Sequence, residues 1–233
     1  MSFKFLLFLV IAISVSSVFA NFRLKSYPKH FRRILRKKLK YCEEELVRIE
    51  QDKVRVQLYY ESHCPFSRRF YKYELTPTVR KLGDKLEILT YPYGNARTRY
   101  NKKGKYKIKC QHGKAECYGN RMHACAIEYI SNMNEAIFFN SCLMDDSQEE
   151  NGSDDQAFGK CVREFKIDGG PIKSCAKGSR GKELHAFYGE TSKKVKYKSV
   201  PHVLINGKKY DGNNFMQDVC ASFQKVPQEC YHD

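Results

Sequence analysis

Val54-Arg55-Val56-Gln57-Leu58-Tyr59-Tyr60-Glu61-Ser62-His63-Cys64-Pro65-Phe66-Ser67 is the stretch that decides how this chain is read. Val54 to Tyr60 is β-branched and aromatic, which suits a strand. Arg68 to Leu82 reads as the helix that follows, and Pro77 inside it predicts a kink or an early stop. Pro65 fits the first helical turn, where its missing N–H costs nothing. A cysteine at such a helix start is a good nucleophile, because unpaired backbone N–H groups and the helix dipole stabilise the thiolate. Arg68 and Arg69 add positive charge beside it. Leu86 to Tyr91 is a second strand, ended by Pro92-Tyr93-Gly94-Asn95. The order strand, cysteine turn, helix, strand describes a βαβ unit.

Cys64-Pro65-Phe66-Ser67 resembles the Cys-x-x-Cys turn of thioredoxin-type active sites, with serine at the second sulfur position. Dithiol reduction needs both sulfurs: one attacks a substrate disulfide, and the other breaks the mixed disulfide that results. Ser67 can donate a hydrogen bond to the Cys64 sulfur but cannot attack a mixed disulfide. Val200-Pro201 resembles the cis-proline that thioredoxin-like folds place before a strand facing the active cysteine. Its alternative is an ordinary proline at a strand edge.

The remaining chain sets the context. Lys4, the apolar run Phe5 to Val18 and the small residues up to Ala20 predict a secretory signal peptide over 1–20. No later run is apolar and long enough to span a membrane. Residues 21–52 form a basic segment, rich in Arg and Lys, in which Phe31, Ile34, Leu35, Leu39, Cys42, Leu46 and Ile49 recur at helical spacing. It is read as a prosegment or packing helix, with a polyanion-binding arm as the alternative. The formal net charge of +16 favours anionic partners, glycans and cell surfaces among them. Nucleic acid is set aside, since an exported protein seldom meets it. Residues 53–233 form the main domain, interrupted at about 110–180 by a cysteine-rich, mostly helical insertion. Within that insertion Asn151-Gly152-Ser153 is an N-glycosylation sequon. Lys196 to Val200 and His202 to Ile205 read as strands, Asn206-Gly207 as a hairpin turn, Lys208 to Tyr210 as the return strand and Phe215 to Phe223 as a terminal helix. Lys103, Lys105, Lys107 and Lys109 alternate with other residues, as do Lys194, Lys196 and Lys198. Each set shares one face if its backbone is extended.

Cys110-Gln111-His112-Gly113, Glu116-Cys117, Asn120 and Cys125 spell C-Q-H-G-x2-E-C-x2-N-x4-C. This is similar to the signature of the gamma-interferon-inducible lysosomal thiol reductase (GILT) family. Tyr91 to Ala96, Val200-Pro201 and Asn206-Gly207 also resemble that family, so the likeness covers roughly residues 54–230. The resemblance implies an α/β, thioredoxin-like fold whose relatives reduce disulfides of endocytosed proteins at acidic pH. It puts the attacking residue on Cys64, the resolving position on Ser67 and part of the substrate ledge on Pro201. The signature cysteines become structural, which outweighs a zinc site at Cys110, His112, Cys117 and Cys125. His112 is expected to fix a loop, and Glu116 and Asn120 to cap or tie the same turn. The reading calls for no metal and no cofactor.

Cysteine parity adds a constraint. Cys110, Cys117, Cys125, Cys142, Cys161, Cys175, Cys220 and Cys230 suffice for four bridges, of connectivity that sequence leaves open. Cys42 and Cys64 are left over: both free, Cys42 capping Cys64, or one making an interchain bridge such as a Cys42-linked homodimer. Two functions follow. One is a secreted protein of the family, with the lysosome as alternative destination, whose dithiol reductase activity is lost or strongly reduced and which binds partners through its basic surface. The other is a single-cysteine oxidoreductase that reduces or isomerises protein disulfides with Cys64 and an external thiol.

Overall fold

The structure is a computed structural model that describes residues 33, 35, 37–42, 53–144 and 152–231. The chain divides into two compact units, 1–51 and 52–233. In the first, residues 37–42 are helical and Cys42 is exposed. The expected signal peptide and most of the basic segment lie outside the described residues, as does Asn151.

The second unit is built round a four-stranded sheet of order β2-β1-β5-β6. Strand β1 (Val54–Tyr60) pairs in parallel with β2 (Leu86–Pro92), Val54 opposite Leu86, and antiparallel with β5 (His202–Ile205). Strand β6 (Lys208–Lys209) is the edge, shorter than the sequence pattern suggests. Asn206 and Gly207 turn the β5–β6 hairpin with φ of 48° and 78°, the left-handed pair that a two-residue turn requires. Asn206 also accepts a hydrogen bond from the Arg55 N–H at 2.9 Å, which ties the hairpin to β1.

The crossover from β1 to β2 is one helical run in three parts: α1 (Pro65–Phe70), a π turn (Tyr71–Leu75) and α2 (Thr76–Leu82). Pro77 does not end it. A proline ring collides with the carbonyl four residues back and donates no hydrogen bond. The wider π turn makes room, and the Thr76 N–H bonds instead to the Tyr71 carbonyl. Val54, Val56, Leu58 and Tyr60 of β1 pack under this run against Phe70, Tyr71, Leu75 and Val79, with Phe215 and Val219 of α8 (Phe215–Ala221) closing the core. Tyr59, on the other face of β1, stacks on Tyr91 at 4.4 Å.

Between β2 and β5 comes a mostly helical, disulfide-rich insertion. A two-stranded ribbon, β3 (Arg97–Tyr100) and β4 (Tyr106–Lys109), precedes α3 (Gly113–Tyr129), α4 (Met133–Leu143), α5 (Asp155–Phe165), α6 (Gly170–Lys177) and α7 (Ser179–Lys193). These helices enclose a second core around Met122, Phe139, Leu143, Phe158 and Ile172. Disulfides join Cys125 to Cys175 and Cys142 to Cys161 inside the insertion, Cys110 to Cys117 at its start, and Cys220 to Cys230 at the chain's end. Two expectations need correction. Lys196 to Val200 is not a strand: Lys196 is left-handed, with φ of 56°, which breaks an extended run. Residues 103–105 belong to the ribbon's loop, so only Lys107 and Lys109 of that lysine series lie on a strand. Among the described residues, no helix is long and apolar enough to cross a membrane.

Candidate functional site

Strand β1 delivers the chain to a turn, 61–63, whose three residues are all buried. Cys64 follows as the N-cap of α1 in extended backbone, and only 7% of its surface is exposed. Its S–H donates to the Val200 carbonyl at 3.8 Å, and the Val200–Pro201 peptide is cis. The fold thus brings together Cys64 and Pro201, which are far apart in sequence.

Ser67 lies one turn into the run and is fully buried. Its hydroxyl oxygen accepts a hydrogen bond from the Glu61 N–H at 3.5 Å. The sulfur's partner is therefore Val200, and not Ser67 as the sequence suggested, because the first helical turn directs the Ser67 side chain back toward the loop. Arg68 is also committed elsewhere: its Nε and Nη2 both donate to the Met144 carbonyl, at 3.2 and 3.1 Å. Arg69 is exposed. Beside the turn runs an open groove of about 800 Å³, lined by Phe66, Arg69, Tyr73, Pro201 and Tyr210.

The signature residues pack against residues 61–63 from behind. Asn120 accepts from the Ser62 N–H at 2.9 Å, and Ser62 donates its hydroxyl to the Glu116 carbonyl at 3.4 Å. The Glu116 carboxylate accepts from the His112 N–H at 2.9 Å and contacts His112 Nδ1. Gln111 accepts from the Asn95 side-chain amide at 2.8 Å, and Asn95 in turn donates its N–H to Glu61 Oε1 at 2.6 Å. Gly113 opens α3 with φ of 89°, a conformation that suits glycine. The cysteines of the zinc alternative are consumed as disulfides, Cys110 with Cys117 and Cys125 with Cys175.

Glu61 is the residue that sequence reasoning passed over. Both Glu61 and Glu116 are fully buried, and Glu61 Oε2 has no hydrogen bond, lying 3.6 Å from His112 Nδ1. Burial, and then the neighbouring Glu116 carboxylate, push the Glu61 carboxyl up to about 7, against the opposing pull of the Asn95 N–H and His112. The three donor atoms of Glu61, His112 and Glu116 lie within 4.8 Å of one another, close enough to reach one cation. His123 is also buried, between the Tyr60 hydroxyl and Ser153 Oγ at 3.0 Å each, and burial followed by His63 holds it down to about 3. In the sequence Glu61 is marked only by its place, directly after β1 and three residues before the cysteine.

Cys42 and Cys64 are both free thiols, the first exposed and the second buried. Cys64 is the one free thiol among the described residues of the second unit.

The family model described as gamma interferon inducible lysosomal thiol reductase (GILT) matches residues 55–165. A gamma-interferon-inducible lysosomal thiol reductase-like protein of Anopheles gambiae is 33% identical over 199 residues, covering 77% of this chain and 81% of that protein. The gamma-interferon-inducible lysosomal thiol reductase of Mus musculus is 33% identical over 176 residues, covering 73% and 68%. The crystal structure of reduced DsbA from Mycobacterium tuberculosis superposes with a TM-score of 0.54 over 76% of this chain and 85% of its own, at 17% identity. That last likeness bears on the fold alone.

Proposed function

The chain belongs to the gamma interferon inducible lysosomal thiol reductase family, and from that premise we propose that it is an exported variant whose dithiol reductase activity is lost or strongly reduced. Cys64 remains as the attacking thiol, Ser67 stands at the resolving position, and Pro201 forms part of the ledge on which a disulfide-containing protein lies. The observation that carries this reading is the thiol inventory. Every other cysteine of residues 53–233 is in a disulfide, so no second sulfur of this unit can release a mixed disulfide from Cys64.

Magnitude decides between slow and fast turnover. A resolving thiol within the same chain acts at an effective concentration of about millimolar or far above. Free thiols outside the cell are scarce, and at acidic pH they are mostly protonated and slower still. A mixed disulfide on Cys64 therefore persists, and the protein holds partners instead of cycling. In this reading its basic surface brings it to those partners, outside the cell or in the lysosome.

A second reading is favoured by the open groove beside Phe66, Tyr73 and Pro201, which leaves a peptide room to approach Cys64. There Cys64 reduces or isomerises substrate disulfides and an external thiol resolves the product. Insulin reduction at acidic and neutral pH tests both readings on the wild type, Ser67→Cys and Cys64→Ser. The first expects turnover only in Ser67→Cys. Robust wild-type turnover that vanishes in Cys64→Ser overturns it in favour of the second.

A further inference from the structure

The β3–β4 ribbon carries a charge arrangement that works against its own stability. In its register Arg97 faces Lys109 and Arg99 faces Lys107. All four are exposed, and the period of two places them on one side of the ribbon. Directly opposed residues lie about 5 Å apart and alternate residues along a strand about 7 Å apart. Both spacings, taken at the backbone, are within the Debye length of about 8 Å at physiological ionic strength, so salt weakens the repulsion among the four cations without abolishing it. Like charges directly opposite destabilise a strand pair. Among the described residues, none of the four has a carboxylate partner.

The ribbon borders a trough of about 730 Å³ that extends this field. Arg97 and Arg99 line it from the ribbon, and Lys196 and Lys198 line it from the segment after α7. Neither lysine has an ion-pair partner among the described residues. Neutral hydrogen-bonding groups, Asn95, Thr98 and Gln111, fill out the walls. Two positions shape this side of the molecule. The left-handed Lys196 bends the segment, and the Tyr197 hydroxyl donates to the Gly94 carbonyl at 2.9 Å.

We infer that the cationic face of this ribbon, together with the trough beside it, is a binding site for a sulfated polysaccharide of the heparin class. The inference rests on the reading that the protein meets its partners through its basic surface, and it names the place and the ligand. Closely spaced fixed anions along a chain answer six unpaired cations on a ribbon and in a trough, and sugar hydroxyls answer the amides and hydroxyl of the walls. A membrane surface fits less well. Tyr100 and Tyr106, the exposed aromatics of the ribbon, pair with each other on the face opposite the four cations. Tyr100 is also engaged, donating its hydroxyl to Glu190 at 2.8 Å under the Lys193 ammonium. One flat surface cannot meet the cations and the aromatics together.

The test is isothermal titration of the full chain with a heparin-derived octasaccharide and with its desulfated counterpart. The variants are Arg99→Ser/Lys107→Ser and, at the same change in net charge, Lys208→Ser/Lys225→Ser. Near an anionic surface each cation carries roughly a fivefold share of affinity, so the ribbon pair should lose at least about tenfold and the control pair less than about twofold. The ribbon variant removes a repulsion and should fold, which an unchanged disulfide map verifies. Equal losses in the two variants, or equal binding of the desulfated sugar, overturn the inference. So does tighter binding of a glutamate-rich peptide or of phosphatidylserine vesicles. The titration involves no redox step, so its failure leaves the Cys64 reading standing, and the insulin assay can fail without touching the sugar result.

Discussion

Glu61→Gln should change how the stability of this domain depends on pH. Glu61 is fully buried, and its carboxyl is raised from 4.5 to about 7, first by burial and then by Glu116. An acid whose folded pKa exceeds its unfolded value takes up a proton on folding between the two values. Its contribution is therefore fully present below about 4.5 and is lost as pH rises through about 7. At 1.36 kcal/mol per pKa unit, the loss between about pH 5 and pH 7.5 comes to about 2 kcal/mol. Glutamine stays neutral and keeps an oxygen to accept the Asn95 N–H. The variant should match the wild type near pH 5 and exceed it by about 2 kcal/mol near pH 7.5.

Urea unfolding with the disulfides intact, followed by tyrosine fluorescence, measures both proteins at both pH values; the chain has sixteen tyrosines and no tryptophan. Two buried imidazoles act in the opposite sense. His123 and His185 are held down by burial to about 3 and about 4, so the folded state refuses protons that the unfolded chain takes, and stability falls as pH drops below 6.5. Those contributions are common to both proteins and cancel in their difference. A difference that stays constant with pH, or grows toward acid, refutes the argument that Glu61 is buried as the neutral acid.

Two further perturbations test the scaffold. Replacing Cys125 and Cys175 together by alanine opens a bridge of sequence separation 50, which should cost about 4 kcal/mol by loop entropy, read as a lowered urea midpoint. Gly94→Ala should cost at least about 2 kcal/mol, because Gly94 is left-handed, with φ of 59°, and a methyl there collides with Glu61 Cγ; Tm by calorimetry reads this, and a shift under about 2 °C would show that the contact yields.

The parts legible in sequence are those whose cause is local. β1 and β2 announce themselves by β-branched and aromatic residues, and the Asn206-Gly207 turn by a dipeptide that readily adopts two left-handed conformations. What was missed depends on distant partners. Helix α7 includes Gly181 and Gly189, poor helix formers, and their role appears only where the Cys175 carbonyl and the Tyr93 ring press against them. β3 is Arg-Thr-Arg-Tyr, with no apolar stripe, and it exists as a strand because β4 returns beside it. Lys194 to Val200 has the alternation of a strand, yet the backbone at Lys196 rules one out. Glu61 was illegible for the same reason: its meaning comes from residues 112 and 116, some fifty positions away.

The signature and the cysteine turn are one structure. Asn120 and Glu116 bond Ser62, while His112, Gln111 and Asn95 surround Glu61, and none of these contacts reaches the residue at position 67. The buried Ser67 side chain bonds to this scaffold through the Glu61 N–H, at 3.5 Å, a weak link that a thiol can keep about as well as a hydroxyl. Exchanging serine and cysteine there alters the chemistry open to Cys64 while leaving the supports of the turn in place. That separability is the physical reason why Ser67→Cys should fold like the wild type, so that any difference in turnover between the two reports the second sulfur and not a damaged site.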